Sequence, residues 1–330
     1  MRSFSIVLFL LLSVNGLAQN GLKALDPELK SYTYPFPVAF LPLHIQGQTL
    51  NMAYMDIRPS KPNGKNVLLL HGKNFNGAYW KTTIDALTKE GYRVVVPDQI
   101  GFGKSSKPEN FQYSFHQLAA STKQILDTLG IDETAVLGHS MGGMLATRFA
   151  LMYPEVTKQL ILENPIGLED YKTVVPYTPV HVGYQNELRS TYQSLKDYQL
   201  KFYYDNKWKP EYDQWLNLLA GWTLHREYPV IAWNNALTSD MIFTQPVVYE
   251  FPNLKMPTLL IIGTRDRTAI GKALAPANIQ PSMGLYNELG KITRDKIPGS
   301  ILVELDNIGH MPHIEAFGNF IKPLKDFLNK

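Results

Sequence analysis

The sequence predicts a three-layer α/β protein, a mostly parallel β-sheet between two layers of helices, interrupted once by a helical insertion. Three observations predict it. Short continuous apolar runs such as VLLLHG (67–72) and TLLIIG (258–263) are the mark of strands covered on both faces. Segments with helical spacing alternate with those runs, the rhythm of parallel strands joined by crossover helices. From residue 166 to 246 the rhythm stops, and then it resumes.

Taken in chain order, VAFLPLHI and LNMAYMDI (within 38–57), separated by QGQT, read as an antiparallel hairpin feeding the sheet. VLLLHG is the first fully covered strand. AYWKTTIDALTKEG (78–91) is a helix with Trp80, Ile84 and Leu87 on one side and Gly91 as its stop. RVVVPD (93–98) is a strand, residues 114–129 a helix, and TAVLGH (134–139) another strand. GGMLATRFALMYP makes a helix ended by Pro154, and QLILENP (159–165) a further strand. Residues 166–246 are helical and aromatic-rich, holding four of the five tryptophans. Then follow MPTLLIIG (256–263), a long connection, SILVELDN (300–307) and the terminal helix EAFGNFIKPLKDFLNK. The expected core domain is thus 25–165 with 247–330, and the insertion reads as a cap on the sheet.

Composition narrows the classes of function. The chain has 330 residues, 45% of them hydrophobic and 18% charged, enough to bury a substantial core. The net charge of +3 comes from interspersed signs with no basic stripe, which argues against nucleic acid as a partner. There is no cysteine, so disulfides and a lipid-modified cysteine are excluded. At the start, MRSFSIVLFLLLSVNGLAQN has a basic Arg2, an apolar run from Phe4 to Leu12, and small residues Gly16 and Ala18. It reads as a signal peptide over 1–18, implying export to the periplasm or medium. The run is shorter than the roughly 20 apolar residues that span a bilayer, so no stable membrane anchor is expected.

Gly138-His139-Ser140-Met141-Gly142 lies where a strand must turn sharply into a helix. That turn lifts the Ser140 hydroxyl above the carboxyl edge of the sheet, and glycines at 138 and 142 remove side chains that would clash there. A serine in this place can also serve only as a helix N-cap. As a nucleophile it needs a base, and the base needs a carboxylate to hold its tautomer. His310, in the loop VELDNIGHMPHIEA after the last strand, is the candidate base, with His313 as its neighbouring alternative. Asp266, in GTRDR just past a strand end, is the candidate acid, and the flanking Arg265 and Arg267 are expected to keep it ionised. Glu163, Asp170 and Asp306 are the alternatives. Oxyanion donors are expected from the backbone N–H of Met141 and, in the loop His71-Gly72-Lys73-Asn74, from that of Lys73. His71 reads as a loop-shaping residue. The Lys73 side chain is either solvated or draws an anionic group to the pocket rim.

HGKN followed by Trp80, DQIGFGKS (98–105), GHSMGG (138–143), GTRD and GHMPHIE together resemble the α/β-hydrolase superfamily over nearly the whole chain. The resemblance implies an α/β-hydrolase fold: a mostly parallel eight-stranded sheet flanked by helices, with 166–246 as a helical lid over a pocket. Within that superfamily dehalogenases and epoxide hydrolases carry aspartate where this chain has Ser140. Ring-fission C–C hydrolases usually show asparagine in place of His139. GHSMGG looks most like carboxylesterases, monoacylglycerol lipases and cofactor-free haloperoxidases, while HGKN departs from the HGGG of many esterases.

The expected activity is hydrolysis of carboxylic esters of an apolar or aromatic small molecule through an acyl-enzyme. C–C bond hydrolysis, amide or aminopeptide hydrolysis, haloperoxidation and non-catalytic binding are the alternatives. Neither a metal cluster nor a nucleotide-binding motif is spelled, so no cofactor or metal is expected. Asn74, His139, Trp208, Trp215, Trp222 and Trp233 are the expected substrate-binding residues.

Overall fold

The computed structural model describes residues 22–330. The expected leader, 1–18, lies outside the described residues. Strands β1 (Ala39–Ile45) and β2 (Gln48–Ile57) form the hairpin, turning at Gln46 and Gly47. Both turn residues have positive φ (51° and 75°), as a two-residue turn between right-twisted strands requires. β3 (Asn66–Leu70), β4 (Arg93–Pro97), β5 (Thr134–His139), β6 (Thr157–Glu163), β7 (Thr258–Gly263) and β8 (Ile301–Leu305) complete one sheet. Its order is β1-β2-β4-β3-β5-β6-β7-β8, eight strands of which β1–β2 and β2–β4 pair antiparallel and the rest parallel.

Helices α1 (Lys81–Lys89), α2 (Phe115–Thr128) and α3 (Met141–Met152) alternate with these strands. The period-2 geometry of the covered strands divides their side chains between two cores. In β7, Leu260 and Ile262 join the cluster that holds Phe115, Phe149 and Tyr286. Leu259 and Ile261 join the one that holds Trp80, Ile84 and Phe320. The long connection expected before the last strand contains a further helix, which is α8 in the chain order (Tyr286–Lys296). Its sequence, YNELGKITRDK, is polar, but it buries Tyr286, Leu289, Gly290 and Thr293, a single i, i+3, i+4, i+7 stripe. The chain ends in the short helix α9 (Pro312–Glu315) and α10 (Phe317–Leu328).

Between β6 and β7 lie α4 (Val180–Glu187), α5 (Tyr192–Phe202), α6 (Asp213–Thr223) and α7 (Tyr228–Thr244), with no strand among them. The segment before β1 crosses this insertion. Leu25 N–H donates to the Gly221 carbonyl (3.0 Å), and Trp222 Nε1 donates to the Asp26 carbonyl (3.0 Å). Gly221 is required inside α6, because a Cβ there would press on the Lys23 carbonyl and the Leu25 side chain. Further on, Tyr34 Oη donates to Asp98 (2.6 Å), fastening the same segment to the sheet. No helix of the described residues is long and apolar enough to cross a membrane.

Candidate active site

β5 delivers Ser140 at the middle of the sheet, and its backbone is forced into a rare conformation (φ 58°, ψ −121°). The turn closes because Gly138 and Gly142 have no side chains. A Cβ at 138 would run into the Gly142 carbonyl, and one at 142 into the Leu70 carbonyl of β3. The loops after β7 and β8 reach the same edge. Ser140 Oγ donates to His310 Nε2 (3.0 Å), and His310 Nδ1 donates to Asp266 Oδ2 (2.6 Å). His310 and Asp266 are fully buried and Ser140 is 7% exposed. The structure therefore brings together the three side chains singled out in the sequence.

What holds Asp266 differs from the expectation. Arg265 turns away to Glu315 and the Asn307 carbonyl, and Arg267 donates to the carbonyls of Thr264 and Asp266. Neither guanidinium meets the carboxylate. Instead Asn164 Nδ2 donates to Oδ2 (2.8 Å) and the Thr268 N–H to Oδ1 (2.8 Å), leaving no carboxylate oxygen without a donor. Asn164 also accepts from the Gly263 N–H (2.8 Å), so one amide ties the ends of β6 and β7 together. The alternatives for base and acid are engaged elsewhere. His313 Nδ1 donates to Glu163 (2.8 Å), Asp170 accepts from Tyr249 (2.6 Å), and Asp306 faces Thr264 at the surface (3.3 Å).

His139 does not line the cavity, a correction to the expectation. It is fully buried, its Nε2 donates to the His310 carbonyl (2.7 Å), and its Nδ1 accepts from Tyr79 Oη (3.1 Å). Tyr79 Oη in turn accepts from the Gly72 N–H (3.0 Å). The residue before Ser140 thus links the His310 loop to the loop holding Lys73. Burial first, then the neighbouring His310 and His313, hold its pKa well below the ordinary imidazole range, so it stays neutral. His71 is similar: burial lowers its pKa, Nδ1 donates to the Gly72 carbonyl (2.9 Å), and Nε2 accepts from the Gln99 N–H (3.0 Å).

The backbone N–H groups of Met141, at the first position of α3, and of Lys73 donate to no protein acceptor among the described residues. In front of Ser140 lies a cavity of about 440 Å³ whose lining includes Lys73, Asn74, Ile166, Glu187, Tyr203 and Thr268. Lys73 Nζ is neither simply solvated nor free to take an anion, because Glu187 of α4 stands 3.6 Å away. Asn74 Nδ2 donates to Tyr203 Oη (3.1 Å), and the Tyr203 ring stacks on His310 (centroids 4.6 Å apart). A larger cleft of about 710 Å³ opens at the amino ends of β3, β5 and β7, the edge where open α/β sheets do not build their sites.

None of the four tryptophans expected in the pocket lines this cavity. Trp208 donates to Asp213 (2.8 Å), Trp222 to the Asp26 carbonyl, and Trp233 to the Glu109 carbonyl (2.7 Å). Trp215 packs edge-on to Tyr79. Trp208, Trp222 and Trp233 each supply apolar area plus one satisfied N–H, and the last two fasten the insertion onto residues outside it. Trp215 and Trp222, seven residues apart, share one face of α6, a spacing that marks a packing stripe. The residues that sequence reasoning missed are Asn164, Tyr203 and Glu187. Only Asn164 carries a local signal, its place at the carboxyl end of a strand.

Comparison with known proteins agrees with this architecture. A solved structure of a probable hydrolytic enzyme from Pseudomonas aeruginosa PAO1 superposes with a TM-score of 0.92 at 48% identity, covering 93% of this chain and 99% of that one. Lipase 3 of Moraxella sp. (strain TA144) is 27% identical over 81% of this chain and 79% of its own length. A 2-hydroxy-6-oxononadienedioate/2-hydroxy-6-oxononatrienedioate hydrolase of Comamonas testosteroni is 34% identical over 43% of this chain and 51% of its own. Residues 65–317 match the model of the alpha/beta hydrolase fold family, to which this chain belongs.

Proposed function

We propose that the protein is a serine hydrolase that cleaves carboxylic esters of small molecules through an acyl-enzyme. The observation that carries this reading is the continuous relay from Ser140 Oγ through His310 to Asp266 at the floor of a cavity. His310 Nε2 takes the hydroxyl proton as Ser140 Oγ attacks the ester carbonyl carbon, and Asp266 stabilises the resulting imidazolium through Nδ1–H. The N–H groups of Met141 and Lys73 receive the oxyanion, each worth roughly 3 kcal/mol of barrier. The C–O bond then breaks as His310 returns the proton to the leaving alcohol. Water enters, loses a proton to His310 and attacks the acyl carbon, and Ser140 is restored as the acid departs. The Tyr203 ring stacks on His310 and covers one face of the imidazole.

The likeness to Lipase 3 supports ester chemistry, and that to the C–C hydrolase over part of the chain supports the second reading. Labelling by a fluorophosphonate probe, run beside a panel of esters, amides and a ring-fission diketone, separates them. Ester turnover and labelling are both expected and both are lost in Ser140→Ala. Diketone cleavage without ester turnover overturns the proposal.

A further inference from the structure

The lining of the Ser140 cavity divides into two chemistries. Ile166, Ile242, Ala269 and Ile270 supply an apolar part. The other part is polar: Lys73 and Thr268 come from the sheet-edge loops, Asn186 and Glu187 from the end of α4. Some hydroxyls of the lining are already spent. Ser194 accepts from the Thr191 N–H (2.9 Å) and donates to the Thr191 carbonyl as part of the α5 cap, and Ser239 donates to the Asn235 carbonyl (2.8 Å). The Asn186 amide is not spent: it is exposed at the end of α4 and makes no side-chain hydrogen bond to the described residues, so a polar ligand atom can pair it.

Charge narrows the ligand further. Lys73 and Glu187 are the charged side chains of the lining, and they face each other at 3.6 Å. An anionic substrate meets Glu187, a cationic one meets Lys73, and a neutral group with hydroxyls both accepts from the one and donates to the other. The cavity, at about 440 Å³, lies toward the small end of ligand sites. Building on the ester-hydrolase reading, we infer that the substrate is a compact neutral ester carrying hydroxyl groups, which Lys73, Asn186 and Glu187 bind while its apolar part rests on Ile166 and Ile242. The hydroxyls belong either to the alcohol, as in a polyol ester, or to a hydroxylated acyl chain.

The test uses the full chain and matched ester pairs: glyceryl monobutyrate against butyl butyrate for the alcohol, ethyl hydroxybutyrate against ethyl butyrate for the acyl group. In one pair the hydroxylated member is favoured about tenfold in kcat/KM, the gain that one or two neutral hydrogen bonds supply. Which pair responds identifies the source. Asn186→Leu with Glu187→Leu brings that ratio to within about twofold of unity, and a ratio of two substrates cancels any loss of folded protein. Glu187→Gln leaves Lys73 unpaired, so monoethyl succinate gains about tenfold relative to its neutral diethyl ester. Both ratios at or below unity, with butyl butyrate still cleaved in a Ser140-dependent way, overturn the inference and leave the ester reading standing. Absence of Ser140-dependent cleavage of every ester overturns both.

Discussion

Two buried histidine–carboxylate pairs stand beside each other on the carboxyl edge of the sheet, His310 with Asp266 and His313 with Glu163. Their near-side geometry is alike: each Nδ1 donates to a carboxylate, at 2.6 Å and 2.8 Å. Their far sides are opposite. His310 Nε2 meets Ser140 at the cavity floor, whereas His313 Nε2 has no partner among the described residues, and its ring stacks on Trp80 at 4.3 Å. The first pair has an outlet for a proton and the second has none. A histidine held by an acid is therefore not in itself a catalytic device. It becomes one when the other nitrogen opens on a nucleophile, and otherwise it fastens a loop, here α9 onto β6 through a second bond from the His313 N–H to Glu163 (2.9 Å).

This contrast can be broken first at the outlet. His310→Ala is expected to lower ester kcat by roughly a millionfold, as loss of a triad base does, with a melting temperature within a few degrees of the parent. Asp266→Asn is expected to cost about ten-thousandfold in kcat, because the amide no longer fixes the tautomer that leaves Nε2 free to accept. His313→Ala should invert the pattern. Denaturant unfolding is expected to show a loss of about 3–5 kcal/mol from stranding Glu163, with kcat of the folded fraction within roughly tenfold of the parent. A variant that loses kcat as His310→Ala does would show that the second pair also handles protons.

The smallest effect sharpens the comparison through pH. His71 and His139 are fully buried with pKa values lowered from the ordinary 6.5. The unfolded chain takes up protons at these rings where the folded chain refuses them. Their contribution to stability is complete above about pH 6.5 and is lost as pH falls below it, by up to about 1.4 kcal/mol per unit for each ring. Urea unfolding at a series of pH values between about 7.5 and 5 reads this slope, and His139→Asn is expected to flatten it.

The strands and the turn that carries Ser140 were legible because their causes are local: apolar runs for the buried strands, and glycines flanking a serine at a turn too tight for side chains. The meeting of Asp266 and His310 with Ser140 was legible through their placement just past strand ends. Asn164 was not, since its task arises only when β6 and β7 lie side by side and bring Gly263 and Asp266 within its reach. Arg265 misled for a related reason: adjacency in sequence put it near Asp266, but the turn points it toward Glu315. The cavity was the least readable part. Indoles attract attention as ligand platforms, yet here they meet core surfaces, while polar residues at the end of α4 that carry no motif reach the cavity. The α8 stripe was readable in its spacing but masked by polar neighbours.

The crossing of the N-terminal segment over α6 sets that helix apart from the rest of the insertion. Besides its two covalent ends and the contacts around Ser140, the insertion is clasped where Gly221 and Trp222 hold Leu25 and Asp26. α6 buries six of its residues and is pinned by that clasp, while α4 buries none fully and α5 only Gln199. The two least buried helices of the insertion thus both border the space in front of Ser140.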